Sequence, residues 1–255
     1  MSEARPGDRA THSGPHGLTG AVPGSLRVAV AQPPCVPHDV AANARAHAAA
    51  VRGARARVVV FPELSLTGYE LAAAAVDPGD VRLAPLTEAC ADTGTIALAG
   101  APVAEGQAAY IAVLAFSQGG AAVAYRKMWL GDEEAVRFTP GPGPARITVD
   151  GWRLGLAVCK DTGVPAHAAD TAALGVDAYL AGTVKRPGEA ELQHERAARI
   201  AAEHGLWVAV ASFAGPTGGG YGETAGRSGI WAPGGTMITG TGSPPGEATS
   251  STFDQ

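Results

Sequence analysis

Cysteine, clustered positive charge and long apolar runs are all scarce in this chain, and each scarcity removes a class of protein. Three cysteines among 255 residues, Cys35, Cys90 and Cys159, are odd in number and widely spaced. That argues against a disulfide framework and fits a reducing compartment, the cytoplasm. No segment supplies the roughly 18 uninterrupted apolar residues of a membrane-spanning helix, so no membrane partner is expected. No block of Lys or Arg could track a phosphate backbone, and the formal net charge is −5, so nucleic acid is not an expected partner either. His38, His47, His167, His194 and His204 fall at no metal-ligand spacing and read as solvated or capping residues; neither a metal nor a cofactor is called for. The opening stretch is rich in Gly, Pro, Ser and charge and has no apolar core. Residues 1–25 therefore read as a disordered tail rather than a secretory signal or anchor.

What is present is core-forming material. Hydrophobic residues make up 46% of the chain, ample for one large domain over residues 26–255. Leu26 to Gln32 reads as a strand, the alanine-rich Val40 to Arg55 as a helix, and Val58 to Phe61 as a buried strand stopped by Pro62. Glu70 to Val76 and Leu83 to Cys90 read as two short helices. Three strands follow, over Thr95 to Pro102, Ala109 to Ser117 and Ala121 to Lys127, the last two joined by a "QGG" hairpin. The second half alternates again: strands over Arg153 to Val158, Ala178 to Ala181 and Leu206 to Ser212, helices over Ala166 to Leu174 and Glu189 to His204. Two further strand-like runs, "SGIWAP" and "TMITGTG", flank the Gly234-Gly235 turn. This order predicts an α/β protein whose sheets are apolar on both faces, with helices packed outside them.

The stretch "RLGLAVCKDTG" sets Cys159 at the end of an apolar strand, just before a charged turn. Strand ends are where α/β sheets present ligand sites. A thiol at such a place is either a small buried hydrophobe or a nucleophile, and a nucleophile needs a base and a group to hold the oxyanion. Two other strand ends offer these. "VVVFPELSLTGYE" places Glu63 after a buried strand and a proline, and "AYRKMWLGDEE" places Lys127 at the end of another. The three can converge as base, stabiliser and nucleophile; alternatively Glu63 and Lys127 form a rim salt bridge and Cys159 is a spectator.

Glu63 in "FPEL..TGY", Lys127 in "YRK..L" and Cys159 in "G.AVCKD" resemble, in order and spacing, the Glu-Lys-Cys signature of the nitrilase superfamily of carbon–nitrogen hydrolases. The similarity runs from "RVAVAQ" to "STFD". It implies a four-layer α-β-β-α sandwich, assembled as homodimers or higher homo-oligomers, acting on a small-molecule substrate. It also implies that Glu63 takes the thiol proton and that Cys159 attacks an amide carbon to give a thioester. Lys127 and the backbone N–H of Lys160 would hold the oxyanion. A second glutamate follows the lysine motif in many members; Glu133 and Glu134 are both available, and spacing to Phe138 favours Glu134 as support for Lys127 or for substrate. Tyr69 and Trp129 are the expected aromatic walls of the pocket.

The chain also departs from that pattern. Trp129 stands where most relatives have a histidine, and Thr162 to Pro165 stand where many have an arginine-containing segment, so an expected carboxylate clamp is missing. Ser212 and Phe213 replace a familiar asparagine. Lys185 and Arg186 lie on a strand-end loop facing the same mouth and read as a solvated pair rather than as a receiver of acidic substrate. The resemblance implies hydrolysis of a small amide or N-carbamoyl compound. The alternatives are a nitrilase acting on a small nitrile, or a degenerate binding or scaffold protein of the same fold.

Overall fold

The computed structural model describes residues 24–254, so the tail expected over residues 1–25 lies, but for its last two positions, outside the described residues. The first half runs β1 (Leu26–Gln32), α1 (Val40–Ala54), β2 (Val58–Val60), α2 (Ala84–Thr93), β3 (Ile96–Glu105), β4 (Ala108–Ser117), β5 (Gly120–Arg126) and a single-turn α3 (Asp132–Ala135). The second half runs β6 (Ala145–Val149), β7 (Trp152–Val158), α4 (Pro165–Ala173), β8 (Ala178–Thr183), α5 (Ala190–His204), β9 (Trp207–Ser212), β10 (Gly229–Trp231), β11 (Met237–Gly240) and β12 (Glu247–Phe253). They form two six-stranded mixed sheets, ordered β12-β1-β2-β3-β4-β5 and β11-β10-β9-β8-β7-β6.

Three apolar clusters sort these elements into four layers. Val28, Val30, Val58, Val60, Leu98 and Ile111 of the first sheet face Leu154, Leu156, Val158, Leu180, Ala209 and Ile230 of the second. The alternate residues of the first sheet, among them Ala29, Val59, Ala97 and Ala99, pack under Ala44, Ala48 and Val51 of α1 and Leu86 and Ala89 of α2. Those of the second, among them Ala157, Tyr179, Val208 and Val210, pack under Ala168 of α4 and Ala197 and Ile200 of α5. A strand whose successive side chains enter two different cores must be apolar at every position, which is why the central strands read as unbroken hydrophobic runs. The molecule is an α-β-β-α sandwich.

β12 returns to lie antiparallel beside β1, with Phe253 opposite Leu26 and Glu247 opposite Gln32. Phe253 stacks on Trp207 of the other sheet at 4.6 Å between ring centroids and lies 6.1 Å from the Trp152 ring, clamping the two sheets together at one end.

Three features differ from the sequence reading. No helix forms over Glu70 to Val76. Its alanines favour one, but Ala73 N–H closes only a single turn onto the Glu70 carbonyl and Val76 N–H goes to the Pro102 carbonyl of β3, so a tertiary partner overrides propensity. β6 and β12 are strands that the sequence hides. "ARITV" is short and carries an arginine and a threonine, and "EATSSTF" is dominated by serine and threonine, whose strand preference depends on what they pair with.

Two glycines fix the height of the turn after β2. A Cβ on Gly100 of β3 would overlap the backbone of Pro62, Glu63 and Leu64; one on Gly182 of β8 would overlap Phe61, Pro62 and Glu63. The turn is thus gripped from both sheets. Gly100→Ala is expected to destabilise the protein by about 1–3 kcal/mol, as overpacking does. Chemical denaturation measures it, and an unchanged midpoint would mean the two sheets part more easily than this packing implies.

Candidate active site

Glu63 is carried by that turn. Leu64 follows it at φ 50, a left-handed conformation that costs a non-glycine residue energy and reverses the chain sharply. Beneath the turn, His47 of α1 joins Ser65 Oγ through Nε2 at 2.8 Å and the Asn43 carbonyl through Nδ1 at 2.7 Å, while Asn43 Nδ2 donates to the Leu66 carbonyl. Burial lowers the His47 pKa to about 4, so the ring is neutral. His47 and His167 are therefore fully buried structural partners, not the solvated or capping residues expected from sequence.

Lys127 follows β5, tied by its N–H to the Ile111 carbonyl and by its own carbonyl to Gly141 N–H. Its Nζ donates to Glu63 Oε1 at 2.6 Å and to both carboxylate oxygens of Glu134 at 2.7 Å. Glu134, on α3, also accepts from Tyr69 O–H and from Gly131 N–H, each at 2.7 Å. Its neighbour Glu133 is exposed. Glu63, Lys127 and Glu134 are all within 2% of complete burial.

Cys159 opens a five-residue 3₁₀ turn at the end of β7, itself at φ 42, and its Sγ donates to the Val184 carbonyl at 3.4 Å. The turn is held by Asp161, which accepts from Val158 N–H at 2.9 Å, Trp129 N–H at 2.9 Å and Tyr125 O–H at 2.8 Å. His167 of α4 continues the chain, its Nε2 at 2.9 Å from Tyr125 Oη and its Nδ1 at 3.0 Å from Tyr179 Oη. A buried polar network with every member partnered fixes one arrangement of the elements it joins, here β5, β7, α4 and β8.

One ammonium cannot compensate two buried carboxylates equally. Burial pushes Glu134 up, but Lys127, Tyr69 and Gly131 N–H outweigh it and hold the carboxyl below its ordinary range. Glu63 has a single ammonium contact, its Oε2 has no hydrogen-bond partner, and it faces the charge of Glu134. Burial there wins over Lys127 and pushes Glu63 up to about 7. Burial opposes charge on Lys127 too, but Glu63, Cys159 and Glu134 more than restore it, and the ammonium persists. Burial, then the charge of Glu63, pushes the Cys159 thiol up to about 11 against the pull of Lys185 and Lys127. The site thus sets a weakly acidic carboxyl beside a neutral thiol.

The structure brings together Glu63, Lys127, Glu134, Tyr69 and Cys159. Lys160 contributes backbone at the turn, while its Nζ reaches out to the Leu130 carbonyl. Trp129 is 43% exposed and is tied to the site through its N–H. The aromatic that stands beside Tyr69 is Tyr221, edge-on at 5.3 Å, and Arg186 lies over Tyr221 at 4.7 Å. Lys185 is buried rather than solvated, which corrects the reading of Lys185 and Arg186 as an exposed pair. Among the described residues no group of three or more His, Cys, Asp or Glu side chains is arranged to hold a metal ion, and no helix is long and apolar enough to cross a membrane.

Residues 27–251 match the carbon–nitrogen hydrolase family. A curated relative, a hydrolase in the pqqF 5′ region of Pseudomonas protegens, is 33% identical over 172 residues; these cover 62% of this chain and 59% of the relative's length. Among solved structures, a cysteine-to-alanine variant of an amidase from the nitrilase superfamily, from Nesterenkonia AN1, is similar at 25% identity and a TM-score of 0.80, covering 89% of this chain and 90% of that one. A glutamate-to-glutamine variant of the same amidase, carrying acrylamide added at its active-site cysteine, superimposes with a TM-score of 0.78 at 25% identity, covering 90% and 93%.

Proposed function

Since the chain belongs to the carbon–nitrogen hydrolase family of the nitrilase superfamily, we propose that it hydrolyses the C–N bond of a small amide or N-carbamoyl compound through a thioester on Cys159. The observation that carries this is the bonding of Lys127 Nζ to both Glu63 and Glu134, with the Cys159 thiol beside Glu63. Cys159 Sγ attacks the carbonyl carbon while Glu63 accepts the thiol proton, so no free thiolate need accumulate at neutral pH. The Lys127 ammonium, held between two carboxylates, supplies positive charge beside the developing oxyanion. The tetrahedral intermediate collapses as Glu63 returns the proton to nitrogen, expelling ammonia or an amine and leaving the acyl group on sulfur. Glu63 then takes a proton from water as its oxygen attacks the thioester carbon. The second collapse restores the thiol and releases the acid. Glu134 and Tyr69 keep Lys127 in place. The near-complete burial of the cluster favours small acyl groups, and the likeness to an amidase supports amides over nitriles.

Ammonia release from a panel of short amides and the matched nitriles tests the reading, together with mass detection of an acyl adduct on Cys159. Turnover of nitriles alone would make the protein a nitrilase, and neither turnover nor adduct would leave it a scaffold. The pH profile carries the signature of the base. Glu63 acts only when deprotonated and its pKa is raised to about 7. The kcat/KM for an uncharged amide is therefore expected to rise through neutral pH and to fall roughly tenfold per unit on the acid side. A flat profile down to pH 5 would remove Glu63 from the role.

A further inference from the structure

Lys185 has no place in the chemistry just described, yet it is only 8% exposed. Its stem is buried, while its Nζ is not among the fully buried atoms left without a partner, so the ammonium stays within reach of an incoming anion. Among the described residues Lys185 Nζ has no carboxylate within ion-pair distance and donates no hydrogen bond, although the site holds one oxygen, Glu63 Oε2, that lacks a partner. A counter-ion for the carboxylates would have taken that oxygen. Lys185 instead lies on the thiol's side of the cluster. Its backbone follows Val184, whose carbonyl receives Cys159 Sγ, and its own carbonyl is pinned by Ala225 N–H. Its charge acts on the thiol ahead of that of Lys127, while the influences on Glu63 come from Lys127, Glu134 and Cys159. Next to it, the Arg186 guanidinium over the Tyr221 ring adds a second positive charge at the mouth. Thr162, Gly163, Val164 and Pro165 carry no charge of their own, and the cations packed on that segment are Arg196, beside Gly163, and Arg199, which donates to the Thr162 carbonyl.

We propose that Lys185 is the anion-recognition residue of this site, receiving a carboxylate that the substrate carries a few bonds from its scissile carbonyl. The assignment rests on the carbon–nitrogen hydrolase reading and narrows it to acidic amides or carbamoyl compounds. A carboxylate there supplies the missing partner of the ammonium. A long, flexible lysine tolerates some variation in the spacer where an arginine fork would fix it.

The test compares succinamate with butyramide, which differ by a carboxylate in place of a methyl group, on the full-length protein. The succinamate-to-butyramide ratio of kcat/KM is expected to be roughly ten- to a hundredfold, the range for one charged hydrogen bond, and to collapse in Lys185→Met chiefly through KM for succinamate. Lys185→Arg, which keeps the charge, is expected to retain part of the preference. A ratio unchanged in Lys185→Met would overturn the assignment and leave Lys185 acting on the thiol alone. Calorimetric binding of both compounds to Cys159→Ala reads the same preference without turnover. Selective binding lost in Cys159→Ala/Lys185→Met, with no hydrolysis by the parent chain, would keep the anion site and sink the hydrolase reading; equal binding of the two compounds would sink the anion site. Thermal melting guards against misfolding: Lys185 Nζ makes no hydrogen bond or ion pair among the described residues, so Lys185→Met removes none and is expected to melt close to the parent.

Discussion

Glu63→Gln is expected to lower kcat for amide hydrolysis by about a thousandfold, within the range that a positioned general base contributes, while the circular dichroism spectrum is unchanged. The glutamine has the same volume and keeps an oxygen to accept from Lys127 Nζ, so the grip of Gly100 and Gly182 on the turn is undisturbed. What it removes is the acceptor for the thiol proton. Because the Cys159 pKa is raised to about 11, very little thiolate forms unaided at neutral pH, and attack on the amide carbon stalls. Two further readouts separate this from a general disturbance. The acid limb of the pH profile should vanish, since the group responsible for it is gone, and no acyl adduct should accumulate on Cys159 in a single turnover. A variant that keeps a tenth of the parent activity would return Glu63 to the role of a buried ion-pair partner.

Lys127→Met is expected to affect stability as strongly as activity. The methionine fills most of the space but leaves Glu63 and Glu134 buried with no cation bonded to either, and breaking a buried pair from one side typically costs about 3–5 kcal/mol. The sign of the pH dependence follows. Without Lys127, burial and mutual repulsion raise both carboxyls above their unfolded values. Their protonated forms then favour folding below the unfolded pKa, and that stability is lost as pH rises through the folded pKa. Lys127→Met should therefore melt at a higher temperature at pH 5 than at pH 8. Lys127→Met/Glu134→Gln should recover much of the stability, having one charge fewer to bury, yet remain inactive. Recovery of activity in the double variant would show that Lys127 serves only to balance charge. A melting temperature of Lys127→Met equal to the parent's would show that the two carboxylates are relieved by some other route.

The parts of this arrangement that were legible in the sequence are those in which one residue type has few other reasons to be where it is. A glutamate straight after a buried strand, a lysine at the end of another and a cysteine closing a third each contradict their surroundings, and all three converge. Glu134 was separable from Glu133 by spacing, and the two-sided apolar strands announced a layered α/β architecture. The network behind the thiol was not legible. Tyr125, His167 and Tyr179 lie on three elements that only the packed sheet brings together, and in sequence each looks like an ordinary strand aromatic or helix histidine. Lys185 was misread for a related reason. A Lys-Arg pair in a loop is normally solvated, and the backbone of this one is pinned by Ala225 N–H from a distant glycine-rich segment whose sequence gives no hint of where it lies. β12 stayed hidden because serine and threonine become strand residues only when a partner strand is supplied, here by β1 from the far end of the chain.

That pairing has a consequence for synthesis. The layer holding Glu63 and Lys127 gains its outermost ribbon from residues made more than two hundred positions after β1. A nascent polypeptide leaving the ribosome therefore carries an open edge on that layer for almost the whole of translation, a state prone to sticking to other chains. Ribosome-stalled intermediates should need a holding chaperone until Phe253 has emerged and slotted against Trp207.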